Sequence, residues 1–193
     1  SDSALALGPR WGMKCLPFVL ILVSLFFSTS VQAKKRQRPL DLLSVKPPTD
    51  LETCFAPDEP CAEKLIRFVD SAQTSIDVAV FDININELVD HLIVKAKKIK
   101  VRIVVDRRQA KGKHSAVPRL IQNQVLVRYG KQRGLMHNKF VIIDQKMVET
   151  GSFNQTWHAS SSNEENQVYI SSPNVVKRFH KRFEKMWSHA KAP

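Results

Sequence analysis

Four consecutive apolar residues, Phe140-Val141-Ile142-Ile143, follow directly on His137-Asn138-Lys139. The run is short and partly β-branched, so it reads as a buried strand. Side chains two apart on a strand share a face. His137 and Lys139, at its entrance, therefore project into one place. Asp144-Gln145-Lys146 has turn character, and Met147-Val148-Glu149-Thr150 reads as the return strand of a hairpin. Gly151 follows, where backbone can approach a ligand closely. Ser152 and Asn154 add a hydroxyl and an amide, and Glu165 and Asn166 come shortly after. No carboxylate pair or cysteine cluster competes for a metal in this stretch. One imidazole, one ammonium and several donors at adjacent strand ends suit attack by a histidine on an anionic phosphodiester.

The rest of the chain supplies the frame. Residues 62–72 are amphipathic and read as a helix, and residues 75–81 as a strand. Leu88, Leu92 and Ala96 at helical spacing predict a helix over residues 86–98. A strand is expected at residues 100–105, a weaker helix at 115–123 and a third strand at 125–129. After the hairpin come a strand at 168–170 and a last helix over 174–189, with Val175, Phe179, Phe183 and Trp187 on one side as core. Strands alternating with helices imply an α/β layer structure, here a mixed, mainly parallel sheet flanked by helices in one domain.

The pattern His137-x-Lys139, then Asp144, then Gly151-Ser152-Phe153-Asn154 resembles the HKD motif of the phospholipase D superfamily. Asn163-Glu164-Glu165-Asn166 resembles the N-x-E-N segment of its small single-motif members. Upstream, residues 72–81 and 101–106 look like that group's first two core strands, and the likeness extends over residues 61–187. The group includes bacterial periplasmic endonucleases and mitochondrial Zucchini-type proteins, so nucleic acid and lipid phosphodiesters both stay open. The resemblance implies an αβα fold and a set of roles. His137 would attack phosphorus and form a phosphohistidine. Lys139 and Asn154 would hold the non-bridging oxygens, with Ser152 assisting. Glu165 would hydrogen-bond the far ring nitrogen of His137 and fix its tautomer. Asp144 would be structural, and no metal or other cofactor is implied.

Two-motif members of the superfamily supply a second histidine as general acid. Here His91, His114, His158, His180 and His189 lack a lysine two residues on within such a strand. A homodimer with a shared active site, His137 coming from both chains, is the expected remedy, since a two-fold axis sets like patches face to face.

Charge narrows the partners. Thirty Lys and Arg against 18 Asp and Glu give a net charge of +12, which favours polyanions or anionic membrane surfaces. Arg107 and Arg108 follow a strand end, where α/β sheets often bind ligands. Lys131 and Arg133 immediately precede the motif, and all four are candidate substrate cations. Trp157 and His158 follow Asn154; Trp157 either packs or stacks on a base. The leading expectation is an endonuclease on DNA or RNA. The alternatives are a phospholipase D acting on phosphatidyl lipids and a non-catalytic nucleic-acid-binding module.

The amino terminus reads as an address. Met13-Lys14, the apolar stretch from Leu16 to Phe27, and Ser28-Thr29-Ser30-Val31-Gln32-Ala33 describe a secretory signal cut after Ala33. Residues 1–12 precede it as an upstream extension. The apolar stretch is short for a span of ~20 residues, so no stable membrane span is expected. A secreted or periplasmic location follows, with an uncleaved anchor as the alternative. Residues 34–52 read as a basic, proline-bearing linker and residues 53–193 as the catalytic domain. Cys54 and Cys61 would pair in an oxidising compartment. Free thiols and a metal site remain the other two readings, although two cysteines without nearby histidines fall short of four ligands.

Overall fold

The computed structural model describes residues 51–130 and 133–193. The signal, its possible anchor role, most of the linker and Lys131 lie outside them. Seven strands and five helices follow in chain order: β1 (Leu51–Ala56), α1 (Cys61–Ser71), β2 (Ser75–Val80), α2 (Asn86–Ala96), β3 (Lys100–Asp106), α3 (Val117–Gln122), β4 (Leu126–Gly130), β5 (Phe140–Ile143), β6 (Met147–Gly151), α4 (Trp157–Ser161), β7 (Glu165–Ile170) and α5 (Pro173–His189). A 3₁₀ turn spans Gln109–Lys111.

All seven strands form one sheet in the order β1-β7-β6-β5-β2-β3-β4. It is mixed, as expected, but antiparallel neighbours outnumber parallel ones. Only β2–β3 and β3–β4 are parallel, whereas β1–β7, β7–β6, β6–β5 and β5–β2 are antiparallel. The cause is connection length. Parallel neighbours need a crossover, which α2 and α3 supply, while the tight β5–β6 link returns the chain antiparallel and the remaining antiparallel pairs join strands distant in sequence or linked through α4.

Three residues, Asp144, Gln145 and Lys146, link β5 to β6, and Ile143 pairs with Met147. Asp144 and Gln145 both have positive φ, 52° and 54°, and Lys146 N–H donates to the Ile143 carbonyl at 2.9 Å. Positive φ at both central positions is the hairpin geometry that matches strand twist.

Helices cover both faces of the sheet, which is why its central strands are apolar without alternation. One face packs Leu65, Ile66 and Val69 of α1, Leu88 and Leu92 of α2 and Leu120 of α3 on Ile76, Val78, Ile103, Val105 and Val141. The other packs Val176 and Phe183 of α5 on Ala79, Val104, Phe140, Ile142 and Val148. Each such Leu, Val, Ile or Phe contributes roughly 1.5–3 kcal/mol on burial.

The seat of α5 is also ionic. Buried Arg102 donates to Asp77 at 2.7 and 2.8 Å and to Glu184 at 2.6 Å. Its guanidinium lies 4.8 Å from the Phe183 ring centre and 5.4 Å from that of Trp187. Burial disfavours its charge, but the two carboxylates outweigh that and push its pKa up. The fork–fork pair with Asp77 sets the guanidinium on the sheet, and its bond to Glu184 fixes the helix that borders the site.

Strand β1 begins at Leu51, two residues inside the expected linker, and continues into the catalytic domain. It is an edge strand paired with β7, Phe55 opposite Asn166. Cys54 on β1 and Cys61 at the start of α1 form a disulfide, which ties the edge strand to the first helix.

Candidate active site

The parallel strands β2, β3 and β4 end at the edge of the sheet where β5 and β7 begin and β6 ends. His137, Lys139, Gly151, Ser152 and Glu165 lie at that edge. His137 and Lys139 lie on extended backbone just before β5. The Lys139 ammonium stands 3.3 Å from each ring nitrogen of His137. His137 is exposed and Lys139 half-buried. Burial lowers the Lys139 pKa, and the Glu165 carboxylate opposes that shift without cancelling it.

Two residues of the parallel strands brace this pair, and sequence reading passed over both. Phe81, just past β2, packs edge-on against the His137 ring with centres 4.6 Å apart at 62°. The Lys139 ammonium lies 5.5 Å from the same ring. Asp106, buried at the end of β3, accepts from the N–H groups of Met136 (2.9 Å), Arg108 (2.9 Å) and Gln109 (3.3 Å). It thereby pins the backbone immediately before His137. An acidic residue closing an apolar strand was the available signal for Asp106.

The second half of the motif forms a separate knot. The Ser152 hydroxyl donates to Glu165 and accepts from the Asn166 N–H at 3.1 Å. Asn163 donates to the other Glu165 oxygen at 3.0 Å. Glu165 makes no hydrogen bond to His137 of its own chain among the described residues; Ser152 and Asn163 donate to its two oxygens. The Ser152 hydroxyl is engaged with β7 through Glu165 and the Asn166 N–H.

Gly151 is likewise required by protein, not by ligand. A Cβ there would stand 2.0 Å from the Asn166 carbonyl oxygen, so only glycine lets β6 and β7 close at this point. Asn154 Oδ1 is buried and has no hydrogen-bond partner among the described residues, and the amide stands beside the knot.

Asp144 lies at the far end of β5. Burial pushes its carboxyl up. The N–H groups of Gln73, Thr74 and Ser75 and the Thr74 hydroxyl pull it down further, for a net lowering. Those donors lie at 2.7–3.0 Å. Its role is to fasten the hairpin turn to the start of β2.

Beside His137 opens a cleft of about 640 Å³, walled by Leu135, Met136 and Asn138 on one side and by Arg182, Lys185 and Met186 of α5 on the other. The expected substrate cations Arg107, Arg108 and Arg133 are exposed, but none lines this cleft. Trp157 is 69% exposed, so it is not a core residue; its N–H donates to Asn84 at 2.8 Å. Two groupings of metal-ligand side chains occur among the described residues, Cys54/Glu59/Cys61 and Asp77/His180/Glu184. Neither includes a motif residue. The first has its sulfurs bonded to each other, and the second carries the Arg102 guanidinium. No described helix is long and apolar enough to cross a membrane.

Comparison with known proteins places this geometry. Residues 65–187 match the family model "Cardiolipin synthase, PLD-like domain". The mitochondrial cardiolipin hydrolase of Chlamydomonas reinhardtii is 33% identical over 162 residues, 71% of this chain and 73% of the relative. A phospholipase D of Rickettsia conorii is 34% identical over 130 residues, covering 67% and 65% of the two chains. The crystal structure of Nuc, a phospholipase D family member from Salmonella typhimurium, superimposes with a TM-score of 0.69 at 26% identity, covering 73% of this chain and 95% of Nuc. The chain therefore belongs to the phospholipase D-like family and is a phosphodiesterase of that superfamily.

Proposed function

We propose that the protein is a metal-independent endonuclease that cleaves DNA or RNA through a covalent phosphohistidine. The observation that carries this reading is the exposed His137 with the Lys139 ammonium 3.3 Å from its ring nitrogens. A ring nitrogen of His137 attacks phosphorus, a P–N bond forms, and the P–O bond to the leaving nucleoside breaks. Lys139 and the Asn154 amide balance charge on the non-bridging oxygens. The leaving oxygen takes a proton, and water then cleaves the P–N bond and returns the imidazole.

The proton donor is assigned to His137 of a second copy, in a homodimer with a shared site. Within one chain no other histidine carries the motif, and His180, on α5, faces Asp77 of β2 and Glu184 one turn on. In this reading Glu165, which makes no hydrogen bond to its own His137, accepts from the partner's imidazole through the lone pairs that Ser152 and Asn163 leave free. The Cys54–Cys61 disulfide supports a secreted or periplasmic location, where such bonds persist.

The apolar walls of the cleft, Leu135, Met136 and Met186, favour a second reading, phospholipase D action on phosphatidyl lipids. One assay separates the two. Purified protein with chelator present is offered labelled single- and double-stranded DNA and RNA, and phosphatidylcholine and cardiolipin vesicles. Cut nucleic acid with intact lipid supports the endonuclease. Released headgroup with intact nucleic acid refutes it, and activity lost in chelator and restored by a divalent ion refutes the mechanism.

A further inference from the structure

The catalytic edge leans on a strand that carries none of its groups. Ladder pairing of β6 with β7 ends at Gly151 opposite Gln167. Beyond that point, among the described residues, Glu165 and Asn166 have their strand partners on β1 alone, in Ala56 and Phe55. From the β6 side Ser152 still reaches them. Its N–H donates to the Asn166 carbonyl at 3.2 Å, and its hydroxyl joins Glu165 and the Asn166 N–H. The segment that carries Glu165 is therefore laid down on β1.

Strand β1 is itself an edge, with no strand on its outer side among the described residues. The turn that follows it fastens its end. Glu59 engages both backbone groups of Phe55: its carboxylate accepts from the Phe55 N–H at 3.2 Å, and its own N–H donates to the Phe55 carbonyl at 2.9 Å. The Cys61 N–H closes the turn on the Glu59 carbonyl at 2.8 Å. The Cys54–Cys61 disulfide draws this turn shut and ties it to α1. Cys54 stands next to Phe55 and pairs with Gln167 across the ladder. Both cysteines are buried, whereas residues 57–60 are exposed, so a reductant reaches the sulfurs when the turn opens locally.

We infer that this bond is a redox switch on the enzyme. Oxidised, it holds β7 in the register that places Glu165 against Ser152. Reduced, it releases the turn, frees the end of β1 and lets Glu165 and Asn166 leave that register. A dithiol reductant supplies the two electrons and two protons. One of its thiolates attacks a protein sulfur, its second thiol resolves the mixed disulfide, and the reductant departs as a disulfide while Cys54 and Cys61 become thiols. Such reductants keep thiols reduced in the cytosol, and disulfides persist in oxidising compartments. A chain still in a reducing compartment is idle, and it becomes competent on passing two electrons to a disulfide-bearing oxidant. The inference rests on the role proposed for Glu165 and names the regulation of that site.

The test follows turnover of bis(p-nitrophenyl) phosphate and backbone hydrogen exchange in the full chain, oxidised and after dithiothreitol, at a temperature where both forms keep their far-ultraviolet circular dichroism. Reduction should lower kcat at least about 10-fold, as displacement of reacting groups does. Exchange should rise in β1 and at residues 165–167 and stay unchanged in β2 and β3. Oxidised glutathione should restore kcat. The variant Cys54→Ala with Cys61→Ala keeps the chain's third cysteine, Cys15. It should turn over like the reduced parent and ignore the dithiol.

A kcat that stays within about twofold on reduction overturns the switch. So does a dithiol effect that survives in the double variant, or a loss that reoxidation does not reverse. Exchange rising evenly over the whole sheet overturns it too, because that is unfolding and not release of one edge. Failure of the underlying reading looks different. In that case Glu165→Ala in the oxidised chain turns over like the parent, whatever reduction does.

Discussion

The two halves of the sheet divide the labour. The antiparallel half, β5, β6 and β7, carries His137, Lys139, Ser152, Asn154 and Glu165 within one stretch of sequence, joined by the β5–β6 turn and the link through α4. The parallel half, β2, β3 and β4, carries none of them, yet supplies the braces: Phe81 against the imidazole and Asp106 on the Met136 N–H. The contrast follows from connection type. The β5–β6 hairpin and the link through α4 return the chain to the same edge within one stretch of sequence, so its polar residues meet in space. Crossovers through α2 and α3 consume many residues between strands, so the parallel half makes a rigid platform from distant segments. In the proposed mechanism the antiparallel half supplies the reacting groups, and the parallel half holds the segment that carries them.

The largest expected effect lies on the antiparallel side. His137→Ala should lower turnover by at least about 10³-fold, because a nucleophile is removed and not merely displaced. Stability should stay within about 0.5 kcal/mol, since His137 is exposed. Thermal melting and steady-state kinetics on the same preparation check both. Residual turnover within tenfold of the parent would show that another group attacks phosphorus.

A brace in the parallel half should matter less, and differently. Asp106→Ala orphans the Met136 N–H and frees the backbone before His137. Turnover is expected to fall about 10- to 100-fold, as small misplacements of reacting groups do. Stability should fall by about 1–3 kcal/mol for a buried acceptor lost. Asp106→Asn keeps an acceptor and should recover part of both. If kcat were unchanged while stability fell, the two halves would be coupled only through folding.

How far these halves were legible in sequence differs for a physical reason. The β5–β6 hairpin was readable because its signals are local: an apolar run, a turn and a return. The α/β order was readable from alternating periodicities. Strand β1 was missed, since its partner β7 lies more than a hundred residues away. The balance of parallel and antiparallel pairings was misjudged for the same reason. Glu165 was identified as a site residue, but its neighbours, Ser152 and Asn163, depend on how β7 closes on Gly151. Helix α5 was read for its core stripe alone, and Arg182 and Lys185 gained meaning only once their position beside His137 was known. Phe81 and Asp106 lie at strand ends, where composition alone does not distinguish a brace from a loop residue.

Buried acids sharpen the comparison at the level of stability. In the parallel half Asp77 is paired with Arg102. In the antiparallel half Glu149 is equally buried, and no cation stands within ion-pair distance among the described residues. Burial pushes its pKa up to about 8. The folded chain then holds a proton that the unfolded chain releases near the ordinary value of 4.5. The stabilisation from this proton is fully present below about pH 4.5 and is lost as pH rises to about 8. Glu149→Gln carries no such proton. Its melting temperature should match the parent near pH 4.5 and exceed it by several degrees at pH 8. Parallel melting curves across that range would show that Glu149 titrates normally.

The smallest effect is expected where sequence alone placed substrate contacts in the parallel half. Arg107 and Arg108 lie in the loop after β3, exposed, and outside the cleft lining. The Arg108 backbone is engaged, its N–H on Asp106 and its carbonyl by the Lys111 N–H, and alanine preserves both bonds. The two guanidinium groups therefore act on a bound phosphodiester through solvent, where charges beyond about 8 Å are largely screened at physiological salt. Arg107→Ala with Arg108→Ala should change KM for a nucleic-acid substrate by no more than about twofold at 0.15 M salt and leave kcat unaltered. At low salt the effect on association should grow, since long-range steering is then unscreened. A loss of tenfold or more at physiological salt would place substrate over the parallel strands as well, and the division between a reacting half and a bracing half would no longer describe how this enzyme grips its diester.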